Sequence, residues 1–191
     1  MTRASARQRH PLALPARQLA GFAVQIGSQV QRFRRGINAA VLFVHGATLG
    51  SRLFDIPHPG ASWMAALAAR GFDAYGLDVR GYGRSRPPEG FPDDRPYARA
   101  AQAVEDITAA IDAIRARRGG RAVHLVGGSW GSITTGLYAS DARRAAGLAS
   151  LTLYAPIFAA RNQAWIDLIA DPDDPMRPNR ALGPARPVTE A

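Results

Sequence analysis

The chain has 191 residues, 47% of them hydrophobic, which is enough for one domain with a buried core, and its composition is too even for two. It contains no cysteine, which excludes a disulfide framework, a thiolate nucleophile and any cysteine-ligated metal site. The formal charge of +9 rests on 24 basic residues that are all arginine, and no run of residues is apolar and long enough to span a membrane.

In chain order, residues 1–19 read as a basic, disordered leader. They open a segment of 35 residues that carries seven arginines (Arg3, Arg7, Arg9, Arg17, Arg32, Arg34, Arg35) and no acidic residue. Aromatic residues are not interleaved with these arginines at stacking intervals, so nucleic acid is not expected as a partner. Arginine without lysine, beside abundant Ala, Gly and Pro, fits a coding bias better than selection for a polyanion. The apolar stretch 12–24 is broken by Pro15, Arg17 and Gln18, too interrupted for a signal sequence. The chain therefore reads as a soluble, cytoplasmic protein with no membrane partner.

Phe22, Val24 and Ile26 alternate, Gly27-Ser28 supplies a turn, and 30–34 resumes extended spacing, a hairpin pattern. Residues 39–44 form a continuous apolar run, as in a parallel strand buried on both faces. A helix is expected over 62–70, closed by Gly71, then a strand over 72–79. Val104, Ile107, Ile111 and Ile114 recur at intervals of three and four, predicting a helix over 98–118. A strand over 122–126, a helix from Ser132 to about Asp141 and a strand over 148–154 follow. This alternation predicts an α/β fold, a mostly parallel sheet with helices on both faces. Residues 20–160 are read as the core and 161–191 as a linker or the start of a cap, with low order. Beyond Asp171 the chain is rich in Pro, Arg and Asp and has no periodicity.

The chemistry concentrates at Gly127-Gly128-Ser129-Trp130-Gly131, between an expected strand and an expected helix. In a Gly-x-Ser-x-Gly elbow the serine occupies a sharp, strained turn, and flanking glycines are needed because a Cβ would collide with neighbouring backbone. Ser129 is thus the candidate nucleophile, and the Trp130 N–H is aimed at a developing oxyanion. His45-Gly46-Ala47 follows the earlier buried strand, where the Ala47 N–H is expected as the second oxyanion donor. His45 is read as bracing that loop and not as the general base, because it lies on the oxyanion side. In Asp78-Val79-Arg80-Gly81-Tyr82-Gly83-Arg84-Ser85, Asp78 and Arg80 are expected to brace a scaffold loop together. This segment lacks the third glycine and helix opening of a dinucleotide fingerprint.

His124 falls within a strand and reads as a packing residue, while His10 and His58 sit beside prolines in loops. No histidines and carboxylates share metal-ligand spacing on a helix face, so neither a metal nor a cofactor is expected. Asp167, Asp171, Asp173 and Asp174 read as linker charges.

The ordered set Val44-His45-Gly46, Leu77 through Ser85 and Gly127 through Ser132 resembles the α/β-hydrolase superfamily, across residues 21–156. The Gly-Gly-Ser-Trp-Gly-Ser elbow is similar to that of proline iminopeptidases and related serine hydrolases. The resemblance implies Ser129 as nucleophile, Trp130 and Ala47 as oxyanion donors, and an ester or amide as the small-molecule substrate. A serine in that place argues against epoxide hydrolase or dehalogenase chemistry, which in this superfamily uses an aspartate. It also implies a catalytic acid after a later strand and a histidine after the last one. All four histidines here precede Ser129, and the sequence ends 62 residues beyond it. The expectation is an N-terminal portion, lost at its C-terminal side because it opens on Met1. The acid and base would come from a longer product or a partner chain, and the uncovered sheet edge would favour self-association. A non-catalytic binding protein of the same fold is the alternative.

Overall fold

The computed structural model describes residues 29–33, 39–92, 97–157 and 162–182, the first of these stretches as backbone only. Five strands form one sheet: β1 (Gln29–Phe33), β2 (Ala40–Val44), β3 (Asp73–Asp78), β4 (Val123–Gly128) and β5 (Leu148–Tyr154), in spatial order β1-β3-β2-β4-β5. β1 runs antiparallel to β3, and every other pairing is parallel. Residues 22–28 of the expected hairpin and the leader lie outside the described residues, so β1 represents that prediction alone.

β2 is central. Its Leu42 is opposite Tyr75 of β3 on one side and Leu125 of β4 on the other, and all five of its residues are buried. The unbroken apolar run is explained by that double coverage, since a strand with helices above and below has no solvent face to mark by alternation.

Helix α1 (Trp63–Ala69) covers one face, packing Met64 and Leu67 on Val41, Phe43, Ala74 and Val126. Its first turn is capped by Ser62, whose Oγ accepts the Ala65 N–H at 3.0 Å and donates to Asp55 at 2.9 Å. It stops at Gly71, whose φ of +90° lets the chain reverse into β3. Helices α2 (Ala100–Arg117) and α3 (Trp130–Ala139) cover the other face. There the predicted stripe Val104, Ile107, Ile111 and Ile114 joins Leu42, Val44, Leu77 and Leu125 in the larger core. A short helix α4 (Ala142–Ala145), capped by Asp141, turns the chain into β5.

Three boundaries differ from the sequence reading. β4 continues through Gly127 and Gly128 because its pairing with β5 persists to Gly128 opposite Tyr154. α3 begins at Trp130 rather than Ser132, so the elbow is a single residue wide. The segment read as a linker or the start of a cap contains α5 (Gln163–Ile169), capped by Asn162 and followed by a bridge between Ala170 and Pro178. Among the described residues no helix is long and apolar enough to cross a membrane.

The expected Asp78–Arg80 brace is not formed. The chain leaves the sheet at Val79, and Arg80 swings onto α2, where its guanidinium meets Asp106 at 2.8 Å and Glu105 at 2.9 Å. Asp106 also accepts the Arg80 backbone N–H at 2.9 Å, which locks the loop after β3 to the helix. Burial lowers the Arg80 pKa, but the hydrogen bond and charge of Asp106, with Glu105, outweigh it and leave the pKa raised. A second pair, Arg118 with Asp73, ties the end of α2 to the start of β3. Removing one partner of such a pair strands the other in a poorly solvated place. Asp106→Ala is therefore expected to cost about 3 kcal/mol in urea unfolding. Glu105→Ala, whose carboxylate is largely exposed, is expected to cost less than about 1 kcal/mol.

Candidate active site

The site is built where β2 and β4 end side by side. Ser129 stands between β4 and α3 with φ +54° and ψ −121°, a conformation that costs a non-glycine residue roughly 1–3 kcal/mol and persists only when surroundings over-determine it. The surroundings do so through the backbone on both sides. Its N–H donates to the Tyr154 carbonyl at 3.0 Å, and its carbonyl accepts the Ser132 N–H at 2.8 Å and the Ser132 hydroxyl at 2.5 Å. The Ser129 side chain is exposed, while the helix beneath it is packed.

The glycines of the motif are there for space. A Cβ on Gly131 would lie 2.6 Å from the His45 carbonyl oxygen and closer still to that of Val44. One on Gly127 would meet the Gly131 carbonyl carbon at 2.8 Å, and would run into Thr135. One on Gly46 would stand 3.0 Å from Ser129 Cβ and 3.4 Å from its Oγ. The loop bearing Gly46 and Ala47 therefore lies directly against Ser129, and Trp130 is the first residue of α3.

His45 is fully buried and holds its loop in place. Its Nδ1 is 2.7 Å from the Gly46 carbonyl, and its Nε2 accepts the Val79 N–H at 3.1 Å. That pattern fixes the neutral tautomer with the proton on Nδ1. Burial, opposed in part by the Gly46 hydrogen bond and the Asp78 charge, pushes its pKa below 6.5. Tyr82, which the sequence reading left without a role, packs its ring 4.7 Å from that of His45 and donates its hydroxyl to the Ala47 carbonyl at 2.6 Å. An aromatic residue between two glycines, next to a site loop, was the available signal.

Asp78 is the clamp on the far side. Its carboxylate accepts the Ser51 N–H at 2.7 Å and the Arg84 N–H at 3.2 Å, and its carbonyl accepts the Ser85 hydroxyl at 2.7 Å. Phe54, Trp63 and Tyr154 form an aromatic wall behind Gly128, with Trp63 and Tyr154 in edge contact at 4.9 Å.

The remaining candidates are not brought to Ser129. His58 is exposed with its Nδ1 3.1 Å from the Pro59 carbonyl, and His124 is half-buried with its Nδ1 2.8 Å from Ser150 Oγ, bridging β4 to β5. His10 lies outside the described residues. Asp167 accepts from Gln163, Asp171 from the Asp173 N–H, and Asp174 from the Met176 N–H while pairing with Arg177. Among the described residues no histidine or carboxylate is hydrogen-bonded to Ser129 Oγ, and no three His, Asp or Glu side chains cluster closely enough to hold a metal ion.

Two measurements check this packing. Gly131→Ala forces a methyl group into the backbone of β2 and is expected to cost about 1–3 kcal/mol or to prevent folding. Gly136→Ala, in the same helix with open space beside it, is expected to stabilise slightly. The fold holds His45 neutral, so below pH 6.5 the unfolded chain takes up a proton that the folded chain refuses, and stability falls as the pH drops towards the lower folded-state value. From about pH 7.5 to 5.5 the unfolding free energy should fall more steeply than in His45→Gln, by at most about 1.4 kcal/mol per pH unit.

The sequence matches the family described as serine aminopeptidase, S33, over residues 34–184. A comparison with curated protein sequences finds no match. Among solved structures, an epoxide hydrolase from Vigna radiata is similar at 22% identity and TM-score 0.55, over 82% of this chain and 41% of that one. An esterase from Exiguobacterium antarcticum is similar at 20% identity and TM-score 0.55, over 74% of this chain and 50% of that one. A hydrolase from Pseudomonas aeruginosa PA01 is similar at 22% identity and TM-score 0.55, over 80% of this chain and 51% of that one. The chain thus spans about two-fifths to one-half of the length of these structures. With the motif order, the sheet order and the match over 34–184 in agreement, the chain belongs to the serine aminopeptidase S33 family of α/β-hydrolases.

Proposed function

We propose that this chain carries the nucleophile and oxyanion hole of a serine hydrolase that cleaves an ester or amide through an acyl-enzyme. The observation that carries the reading is the strained backbone of Ser129, φ +54° on an exposed serine hydroxyl, directly beside the Gly46 loop. Strain of this kind is maintained where it aims a reacting group. In the proposed reaction Ser129 Oγ attacks the carbonyl carbon, its proton passes to a base, and the negative charge develops on the carbonyl oxygen. The N–H groups of Trp130 and Ala47 receive that oxygen, each worth about 3 kcal/mol in the transition state. Tyr82 supports the second donor by holding the Ala47 carbonyl on the opposite side of the loop.

His45 is excluded as base by its burial and by the engagement of both ring nitrogens. The base and its orienting acid are assigned to polypeptide beyond the described residues, in a longer form or a partner chain. An ordinary serine hydroxyl at neutral pH is a poor nucleophile without them. The alternative, a non-catalytic binding protein of the same fold, is favoured by the lack of any described histidine on Ser129.

A fluorophosphonate probe, which requires an activated serine, separates these readings. The 191-residue chain alone is expected to label little or not at all, retaining only the enhancement of roughly 10³–10⁴ over water that an oxyanion hole provides. A form that includes the missing base should label stoichiometrically, and Ser129→Ala should abolish that labelling. Stoichiometric, Ser129-dependent labelling of the chain alone would place a base within it. Failure of every longer form to label would favour the binding protein.

A further inference from the structure

β4 and β5 end in register, with Gly128 opposite Tyr154, and the residue after each strand has a positive φ: Ser129 at +54° and Ala155 at +46°. Among the described residues Ala98 is the one other non-glycine residue of this kind. Ala155 carries a second conflict, because it precedes Pro156, and a proline ring drives the residue before it towards extended backbone. A conformation so disfavoured survives only where neighbouring contacts impose it.

Those contacts run between the two turns. The Ser129 N–H donates to the Tyr154 carbonyl at 3.0 Å, one residue before Ala155, and the Ile157 N–H, two residues after it, donates to Ser132 Oγ at 3.2 Å. The Ser132 hydroxyl has a single proton, which it gives to the Ser129 carbonyl at 2.5 Å, so the Ile157 N–H meets a lone pair. Ser129 is thus tied at its N–H to the end of β5 and at its carbonyl, through one buried hydroxyl, to the chain leaving β5. Half of this is ordinary helix chemistry, since a hydroxyl in a first turn readily bonds the carbonyl three residues back. The other half is not local: Ile157 lies 25 residues beyond Ser132.

We infer that Ser132 is a positioning residue for Ser129, and that through it the path of residues 154–157 sets the geometry of the elbow. The inference rests on the nucleophilic role proposed for Ser129. With both flanking peptides of Ser129 anchored, the direction of its Cα–Cβ bond follows from them. Where Oγ stands relative to the Gly46 loop and to Trp130 is therefore fixed jointly by two strained turns, each holding the other. Ser132 touches no reacting atom in this role and acts through the Ser129 carbonyl.

Backbone amide exchange in the 191-residue chain, read by NMR, tests the link without calling on catalysis. Ser132→Ala is expected to speed exchange at both Ile157 and Ser129 about tenfold, while the β2 amides keep their protection. Ser132→Thr, which retains the hydroxyl, should hold both amides near their original rates. Ile157→Pro deletes the donor at an exposed position and leaves Ser132 in place. It should speed exchange at Ser129 as well. An unchanged Ser129 amide in Ser132→Ala or Ile157→Pro, or a failure of Ser132→Thr to restore it, would overturn the inference. In a form that includes the missing base, Ser132→Ala should slow fluorophosphonate labelling of Ser129 about tenfold to a hundredfold, and Ser132→Thr should restore it. Labelling at full rate in Ser132→Ala would overturn the positioning role alone. A form whose unaltered Ser129 never labels would instead count against the serine hydrolase reading, and the positioning role would fall with it.

Discussion

The close approach of the β4–α3 turn to the end of β2 governs everything at the top of this sheet. Three positions, Gly46, Gly127 and Gly131, sit where a Cβ would strike backbone or the Ser129 side chain. Without side chains there, α3 drops onto the Val44 and His45 carbonyls, and the turn closes in one residue. Ser129 is left to take up the reversal, which is why it has a positive φ. The strain is held in place by the hydrogen bond to Tyr154, by the Ser132 hydroxyl and by the larger core beneath α3.

A second layer of fixed polar contacts keeps the neighbouring loops rigid while they remain open to solvent. His45 holds the Val79 N–H, Asp78 holds those of Ser51 and Arg84, and Tyr82 holds the Ala47 carbonyl. The bonds to the Val79 and Ser51 N–H groups satisfy buried donors that would otherwise be left unpaired at a cost of about 1–3 kcal/mol. The loops after β2 and β3 are thus joined to one another as well as to the sheet. The proposed oxyanion site would depend on such fixed dipoles, because donors that must first reorient contribute less to a developing charge.

The family's motifs lie on short stretches of sequence, and so most of this frame was legible. The apolar run of β2, the 3.6-residue stripe of α2 and the glycine stop of α1 each follow from local pattern. Asp78 and Arg80 do not brace one another, because neighbours in sequence need not be neighbours in space. The sheet ends between the two residues, and Arg80's partner Asp106 lies 26 residues further on. α5 is not marked by its local pattern, because seven residues are too few to establish a helical period, and its Asn162 cap and the Ala170–Pro178 bridge declare themselves only in the fold.

By itself the sequence determined the alternation of strands and helices, the place of the serine in its turn and the absence of any histidine after it. These are properties of residue type and spacing, set by backbone sterics and side-chain periodicity. Only the tertiary structure decided that His45 is locked between Gly46 and Val79, that Tyr82 reaches Ala47, and that Arg80 pairs with Asp106 of α2. Each depends on which segments the sheet order makes neighbours, and sheet order is fixed by long-range pairing and shared burial that no local pattern encodes.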